Sequence, residues 1–229
     1  MKKLLLASNG SFLTDYGYPI LGIPKAKIRI AWITTASKKA RNISYIKRHR
    51  HAMRKHGYRF EEIDIEDNSL DQLRRKLQDK NVMHVEGGPA FYLLKAIKET
   101  GFDKFIKTWV KEGKIYAGTS AGAYIACPRL EISLLHNKKT FGLKDFTALN
   151  LVPFLLKAHY TDDGILPRSL LISSNLIRTF NLSLHMLSSK LLVQELLFIF
   201  SGIFGTIRAV SLRNGTRPTA LSGNDRRKS

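Results

Sequence analysis

The sequence predicts an α/β fold, a three-layer sandwich with a mostly parallel central sheet. Three observations carry that expectation. Strand and helix signals alternate through the first 130 residues, the strand segments are short and apolar, and two of them end in glycine-bearing turns. Successive parallel strands need a covering element between them, and the helical segments supply it.

In chain order, "KKLLLAS" (residues 2–8) reads as a short buried strand and "AKIRIAWITTAS" (26–37) as a second, rich in β-branched residues. The next segment, residues 38–59, holds nine Lys/Arg, three His and no acid. Read as a helix ending near Gly57, it places Ile43, Ile46 and Met53 on one side and turns its cations to the other. "YRFEEIDIED" alternates Phe60, Ile63 and Ile65 as a third strand. "SLDQLRRKLQD" has Ser69 at a cap position and Leu70, Leu73 and Leu77 at helical spacing. "NVMHVEGG" is a strand ending in a glycine pair. "PAFYLLKAIKETG" is a helix with Pro89 in its first turn and Gly101 beyond its end, and "FDKFIKTWVKEG" continues as helix. "KIYAG" is a strand, and "SAGAYIA" a short helix stopped by Pro128.

Whole-chain properties narrow the function classes. A chain of 229 residues is long enough for one sizeable core, so a single domain over residues 1–229 is expected. The single cysteine, Cys127, excludes an intrachain disulfide and reads as a buried structural thiol. The N-terminal apolar stretch is too short for a secretory signal, so a cytoplasmic location is expected. The formal charge of +20 favours contact with polyanions, which keeps a nucleic-acid-binding role for the face at residues 38–59 as an alternative. No aromatic-rich base-stacking motif accompanies that face.

Residues 164–204 differ in kind, being strongly apolar and poor in acids. Gln194 and Glu195 interrupt the longest apolar run and Lys190 precedes it, so a helix against the sheet is expected there rather than a membrane span. The tail from Arg213 has turn residues and charges and is expected to fray.

Ligands gather at the carboxyl ends of strands in such sheets. Both "EGG" (86–88) and "GTSAG" (118–122) fall at such ends, where they can face one cleft. "GTSAG" fits G-x-S-x-G, in which a serine on a strained turn needs tiny neighbours two residues away on each side. The Ala121 N–H at the start of the following helix can stabilise an oxyanion. A nucleophilic serine also needs a base within hydrogen-bond reach. Of seven histidines, His49, His51 and His56 read as solvated positions on the basic helix, His84 lies within a strand, His136 lies beside "NKK", and His185 is in the apolar C-terminal segment. His159 is the best candidate, because "LVPFLLKAHYTDD" turns from apolar to polar where a strand would end.

Residues 86–128, followed by "GLKDFTALNLVPF" and "AHYTDD", resemble the aspartyl dipeptidase (peptidase E) family of serine peptidases, whose fold is related to class I glutamine amidotransferases. The resemblance covers residues 2 to about 163 and leaves 164–229 as a divergent segment, either a diverged helix or a frameshifted C-terminus. It implies Ser120 as nucleophile, His159 as general base and the N–H groups of Gly88 and Ala121 as oxyanion hole. The implied reaction is peptide hydrolysis through an acyl-enzyme, on small peptides with an N-terminal aspartate, with no metal or organic cofactor. Two departures accompany it. Pro89-Ala90 stands where relatives carry Asn-Thr or Gly-Asn. The late acid that completes the triad in relatives has Asn214 of "VSLRNGT" as its nearest match, with Asp162, Glu86 and Glu131 as other possibilities and a plain turn as another. A catalytically inactive relative that binds a peptide or metabolite is the corresponding alternative.

Overall fold

The computed structural model describes residues 3–10, 13–21, 23–132, 135, 138–153, 155, 156 and 158, and the strands at 196–201, 206–211 and 219–220. Five parallel strands form its centre: β1 (Lys3–Ala7), β2 (Arg29–Ile33), β3 (Arg59–Ile63), β4 (Val82–Val85) and β5 (Ile115–Thr119). They run in the order β3-β2-β4-β5-β1. The helices are α1 (Ser44–Lys55), α2 (Leu70–Leu77), α3 (Ala90–Glu99), α4 (Phe102–Lys111) and α5 (Ala121–Ile125). Because each strand's side chains alternate between faces, the sheet carries two cores. Leu4, Leu6, Ile33 and Val85 pack with Phe91, Ile106 and Trp109 on one side. Leu5, Ile30, Trp32 and Ala117 pack with Ile46 and Met53 of α1 on the other. The α/β sandwich expected from the sequence is therefore present; β1, β2, β4 and β5 are buried along nearly their whole length because both their faces are covered, whereas the edge strand β3 carries Glu61 and Glu62 and is only partly buried.

Local chemistry fixes the helix ends. Ser69 caps α2 in a reciprocal box: its hydroxyl accepts from the Gln72 N–H at 3.3 Å and the Gln72 amide oxygen accepts from the Ser69 N–H at 2.7 Å. Gly101 adopts φ 70° and separates α3 from α4, at the glycine expected beyond the end of the first of these helices. The buried face of α4 is Phe102, Ile106, Trp109 and Val110, and the Trp109 indole N–H donates to the Ile115 carbonyl at 2.9 Å. That bond spares a buried donor the cost of about 1–3 kcal/mol for staying unpaired.

Three expectations need correction. Leu196–Ser201 is a strand, β6, antiparallel to β1, where a helix is predicted. The run "LLFIFS" is a short block of apolar and aromatic residues, a length at which periodicity cannot separate buried strand from buried helix. β7 (Thr206–Ser211) and β8 (Thr219–Ala220) extend the sheet antiparallel, so part of the expected frayed tail is paired. Ile43, which immediately precedes α1, is 49 % exposed, and the buried positions of α1 are Ile46, His49 and Met53. Among the described residues no helix is long and apolar enough to cross a membrane.

Candidate active site

β4, β5 and β1 are neighbours and parallel, so their carboxyl ends open on one edge of the sheet. The residues that leave these ends, Glu86-Gly87-Gly88, Ser120 and Ser8-Asn9-Gly10, line a cleft of about 540 Å³. One face of α1 supplies a further wall through Tyr45, Arg48 and His49, which helical spacing brings together. "EGG" and "GTSAG" thus share a cleft because adjacent strands deliver them.

Ser120 occupies φ 49°, ψ −105°, a region that a residue with a side chain enters at a cost of about 1–3 kcal/mol. The turn is held by the Ser120 N–H donating to the Ala7 carbonyl at 3.0 Å and by the Tyr124 N–H donating to the Ser120 carbonyl at 3.0 Å. A Cβ on Gly118 would lie 2.5 Å from the Gly122 carbonyl oxygen, and one on Gly122 would collide with the Val85 carbonyl. Both glycines are therefore required sterically, since the chain doubles back on β4 and β5 at this point. Gly122→Ala is expected to cost about 2–3 kcal/mol of stability through this backbone overlap. A urea midpoint indistinguishable from wild type would contradict it.

The Gly87–Gly88 peptide packs against the serine: a Cβ on Gly87 would stand 3.1 Å from Ser120 Cβ and 3.7 Å from Oγ. Gly88 adopts φ 148°, and a Cβ there would come within 2.6 Å of the Ala36 carbonyl oxygen. Tyr45 donates its hydroxyl proton to the Gly87 carbonyl at 2.9 Å. In a trans peptide the Gly88 N–H points opposite to that carbonyl, so the bond from α1 also fixes the direction of the Gly88 N–H. Ala121 begins α5, where first-turn N–H groups have no acceptor within the helix.

Beneath the cleft floor lies a buried polar cluster built on Glu86, whose residue exposure is 2 %. Its Oε2 accepts from the Trp32 indole N–H at 2.9 Å and pairs with His49 Nδ1 at 2.5 Å. Its Oε1 accepts from the Gly87 N–H at 2.8 Å and the Thr119 hydroxyl at 2.7 Å. Burial opposes ionisation of this carboxyl, but the His49 hydrogen bond, electrostatic interaction with the adjoining His84 and His49 rings and the Gly87 N–H outweigh it and hold the group at about 2. Proton directions follow along the cluster. Thr119 spends its proton on the carboxylate, so its oxygen accepts from His84 Nε2–H at 3.3 Å, and His84 Nδ1 accepts from the Tyr18 hydroxyl at 2.6 Å. His84 is a neutral ring: burial drives it down to about 3, against the pull of Glu86 and with the help of His49.

The site residues expected from the sequence divide unevenly. Ser120, Gly88 and Ala121 are brought together, whereas His159, Asn214 and Asp162 lie outside the described residues, as do His136 and His185. Glu131 faces Arg129 at 3.8 Å, and Glu86 is committed to its four donors. His49, expected to be solvated, is 3 % exposed and lines the cleft, while His51 and His56 are exposed as expected. The charge of its neighbours masks a helix face whose inward residues are Tyr45, His49 and Met53. The i, i+4, i+8 spacing of those three is the signal that could have found it. Cys127 is buried, and burial pushes its thiol up to about 12 against a backbone hydrogen bond, which suits a structural residue.

Comparison with known proteins places this geometry in a family. Residues 5–194 match peptidase family S51. An uncharacterized peptidase of Pasteurella multocida is 35% identical over 164 residues, spanning 71% of this chain and 79% of that one. Peptidase E of a Nostoc species is 29% identical over 170 residues, 70% of this chain and 66% of the relative. The crystal structure of a Listeria monocytogenes protein assigned as a peptidase E superposes with a TM-score of 0.68 at 28% identity, covering 92% of this chain and all of that one. The chain belongs to peptidase family S51 and is a serine-type peptidase, a hydrolase of the peptidase E kind.

Proposed function

We propose that the enzyme hydrolyses small peptides, including those with an N-terminal aspartate, through an acyl-enzyme on Ser120. The observation that carries this reading is the strained Ser120 backbone on a cleft that the Gly87–Gly88 peptide also lines. Ser120 Oγ attacks the scissile carbonyl, and His159 takes its proton and later passes it to the leaving amine. The N–H groups of Gly88 and Ala121 receive the developing oxyanion, and Asn214 orients the histidine. Water then releases the acyl group by the reverse sequence of proton transfers. An amide orients an imidazole but stabilises its protonated form less than a carboxylate does, so turnover slower than that of an acid-completed triad is part of the proposal. Chromatographic measurement of Asp-Leu cleavage against a panel of neutral dipeptides tests it. Cleavage of none of them by folded protein would refute the small-peptide reading.

Tyr45 acts on this machinery through the peptide it holds. Tyr45→Phe frees the Gly87 carbonyl and lets the Gly88 N–H drift from the oxyanion position. Loss of one oxyanion donor costs about 10²–10³ in kcat, so misalignment of one is expected to lower kcat by about tenfold with KM unchanged. A rise in KM at constant kcat would assign Tyr45 to substrate binding instead.

A further inference from the structure

Peptide hydrolysis makes no use of the outer side of α1. Ile46, His49 and Met53 anchor the helix in the core, which turns Lys47, Arg48, His51, Arg54 and Lys55 to the surface. These five stand at i, i+1, i+4, i+7 and i+8, the spacing that lines one face of a helix. At a rise of about 1.5 Å per residue, the ridge from Lys47 to Lys55 is about 12 Å long. The chain's own acids do not neutralise it. Every Asp and Glu among the described residues is paired with a Lys, Arg or His. Beside α1, Glu62 is held by Arg50 through two bonds at 2.5 and 2.7 Å, and Asp15 faces His56 at 2.9 Å. Lys47, Arg48, Arg54 and Lys55 have no carboxylate partner among the described residues. Four cations therefore stand uncompensated along one helix face.

What the face lacks says which polyanion it suits. A helix that lies on a membrane presents an apolar side to the lipid, but the apolar side of α1 is buried in the core. A protein interface is anchored by apolar or aromatic side chains at its centre, and none stands among the five ridge residues. Single-stranded nucleic acid is held largely by aromatic stacking, which the ridge cannot supply. A duplex backbone asks only for a row of cations. One strand carries a phosphate about every 3.4 Å, so about three to four phosphates match the length of the ridge. Arg48 and Arg54 add planar forks that fit pairs of phosphate oxygens.

We propose that the outer face of α1 binds the phosphate backbone of duplex nucleic acid without reading its sequence. Arg48 belongs both to the ridge and to the cleft wall, so a bound backbone runs past the mouth of the cleft. Binding there depends on the charge of α1 and not on which peptides the cleft accepts.

The test compares three forms of the full chain: wild type, Lys47→Gln/Arg54→Gln/Lys55→Gln, and Lys104→Gln/Lys111→Gln/Lys144→Gln. The second triple removes the same charge from exposed positions on α4 and the loop beside it, on the other side of the sheet. Arg48 stays in place because it lines the cleft. Fluorescence anisotropy follows a labelled duplex of about 20 base pairs from about 50 to about 200 mM salt. For the wild type, log K is expected to fall against log salt with a slope of at least about 3 in magnitude. The α1 triple should lower that slope by about 2–3 and weaken binding at least about tenfold at the lower salt, while the α4 triple follows the wild type. DNA and RNA duplexes of unrelated sequence should give the same slopes. Lys47→Gln and Lys55→Gln singly, each expected to lower the slope by about 1, keep the test open if circular dichroism shows the α1 triple unfolded. No binding by the wild type, an α1 triple that binds like it, or equal weakening in both triples overturns the proposal. Competition by polyglutamate as effective as by unlabelled duplex assigns the ridge to an acidic polypeptide and overturns it too.

Discussion

Ser120→Ala is expected to lower kcat/KM for any dipeptide the enzyme cleaves by at least about 10³-fold while leaving the protein folded. The size follows from the covalent step: without Oγ no acyl-enzyme forms, and only the oxyanion donors and binding contacts remain to accelerate attack by water. The fold should tolerate the change because alanine keeps the Cβ and the Ser120 side chain makes no capping bond to α5. The backbone bonds to Ala7 and Tyr124 that hold the turn are main-chain bonds and survive the substitution. Progress curves on purified protein, with a thermal melt on the same sample, check both halves. Retention of more than about a tenth of wild-type kcat/KM would remove Ser120 from the mechanism.

Glu86→Leu is expected to produce the largest loss of stability of any single substitution considered. It strands the Trp32 indole N–H, the Gly87 N–H, the Thr119 hydroxyl and His49 Nδ1–H in a buried site, where each unpaired donor costs about 1–3 kcal/mol. Relaxation and entry of water recover part of that sum, so about 3–5 kcal/mol is the expected net loss in urea unfolding. A loss below about 1 kcal/mol would show that the cluster does not hold the strand ends together.

The same cluster sets the acid limb of stability. Glu86 is held near 2 against an ordinary 4.5, so its contribution is full above 4.5 and is lost as pH falls from there toward 2. His84 is driven down to about 3 from an ordinary 6.5, so the unfolded chain binds its proton first, and stability begins to fall below 6.5. The Glu86 part is on the order of 3 kcal/mol at neutral pH, since each tenfold difference in proton affinity between the folded and unfolded chain is worth about 1.4 kcal/mol. Replacing His84 by glutamine should flatten the limb between 6.5 and 4.5 and leave the loss below 4.5 in place. Urea midpoints measured across that range in both proteins distinguish the two limbs.

How much of this was legible in the sequence depended on where each signal was local. The order of the first five strands was written in short apolar runs closed by glycine or polar turns, and "GTSAG" announced its own steric demand through Gly118 and Gly122. The Ser69–Gln72 cap was equally local. The Glu86 cluster was not, because its members come from β2, α1, β4 and β5 and only the sheet order makes Trp32, His49, His84 and Thr119 neighbours. His49 was hidden for an added reason: cations on both sides gave α1 the appearance of a solvated helix, while its inward stripe has a histidine where an aliphatic residue would have drawn attention. The run that forms β6 is ambiguous in itself, because a short block of apolar residues fits a buried helix face as well as a buried strand.

That Ser120 is an activated nucleophile is open to test by reaction with a fluorophosphonate probe, followed by intact-mass measurement and peptide mapping. One stoichiometric adduct is expected on Ser120 in the wild-type chain, none in Ser120→Ala, and a strongly slowed reaction in His159→Ala. A folded wild-type protein that gains no adduct, or one whose adduct persists in Ser120→Ala, would contradict it.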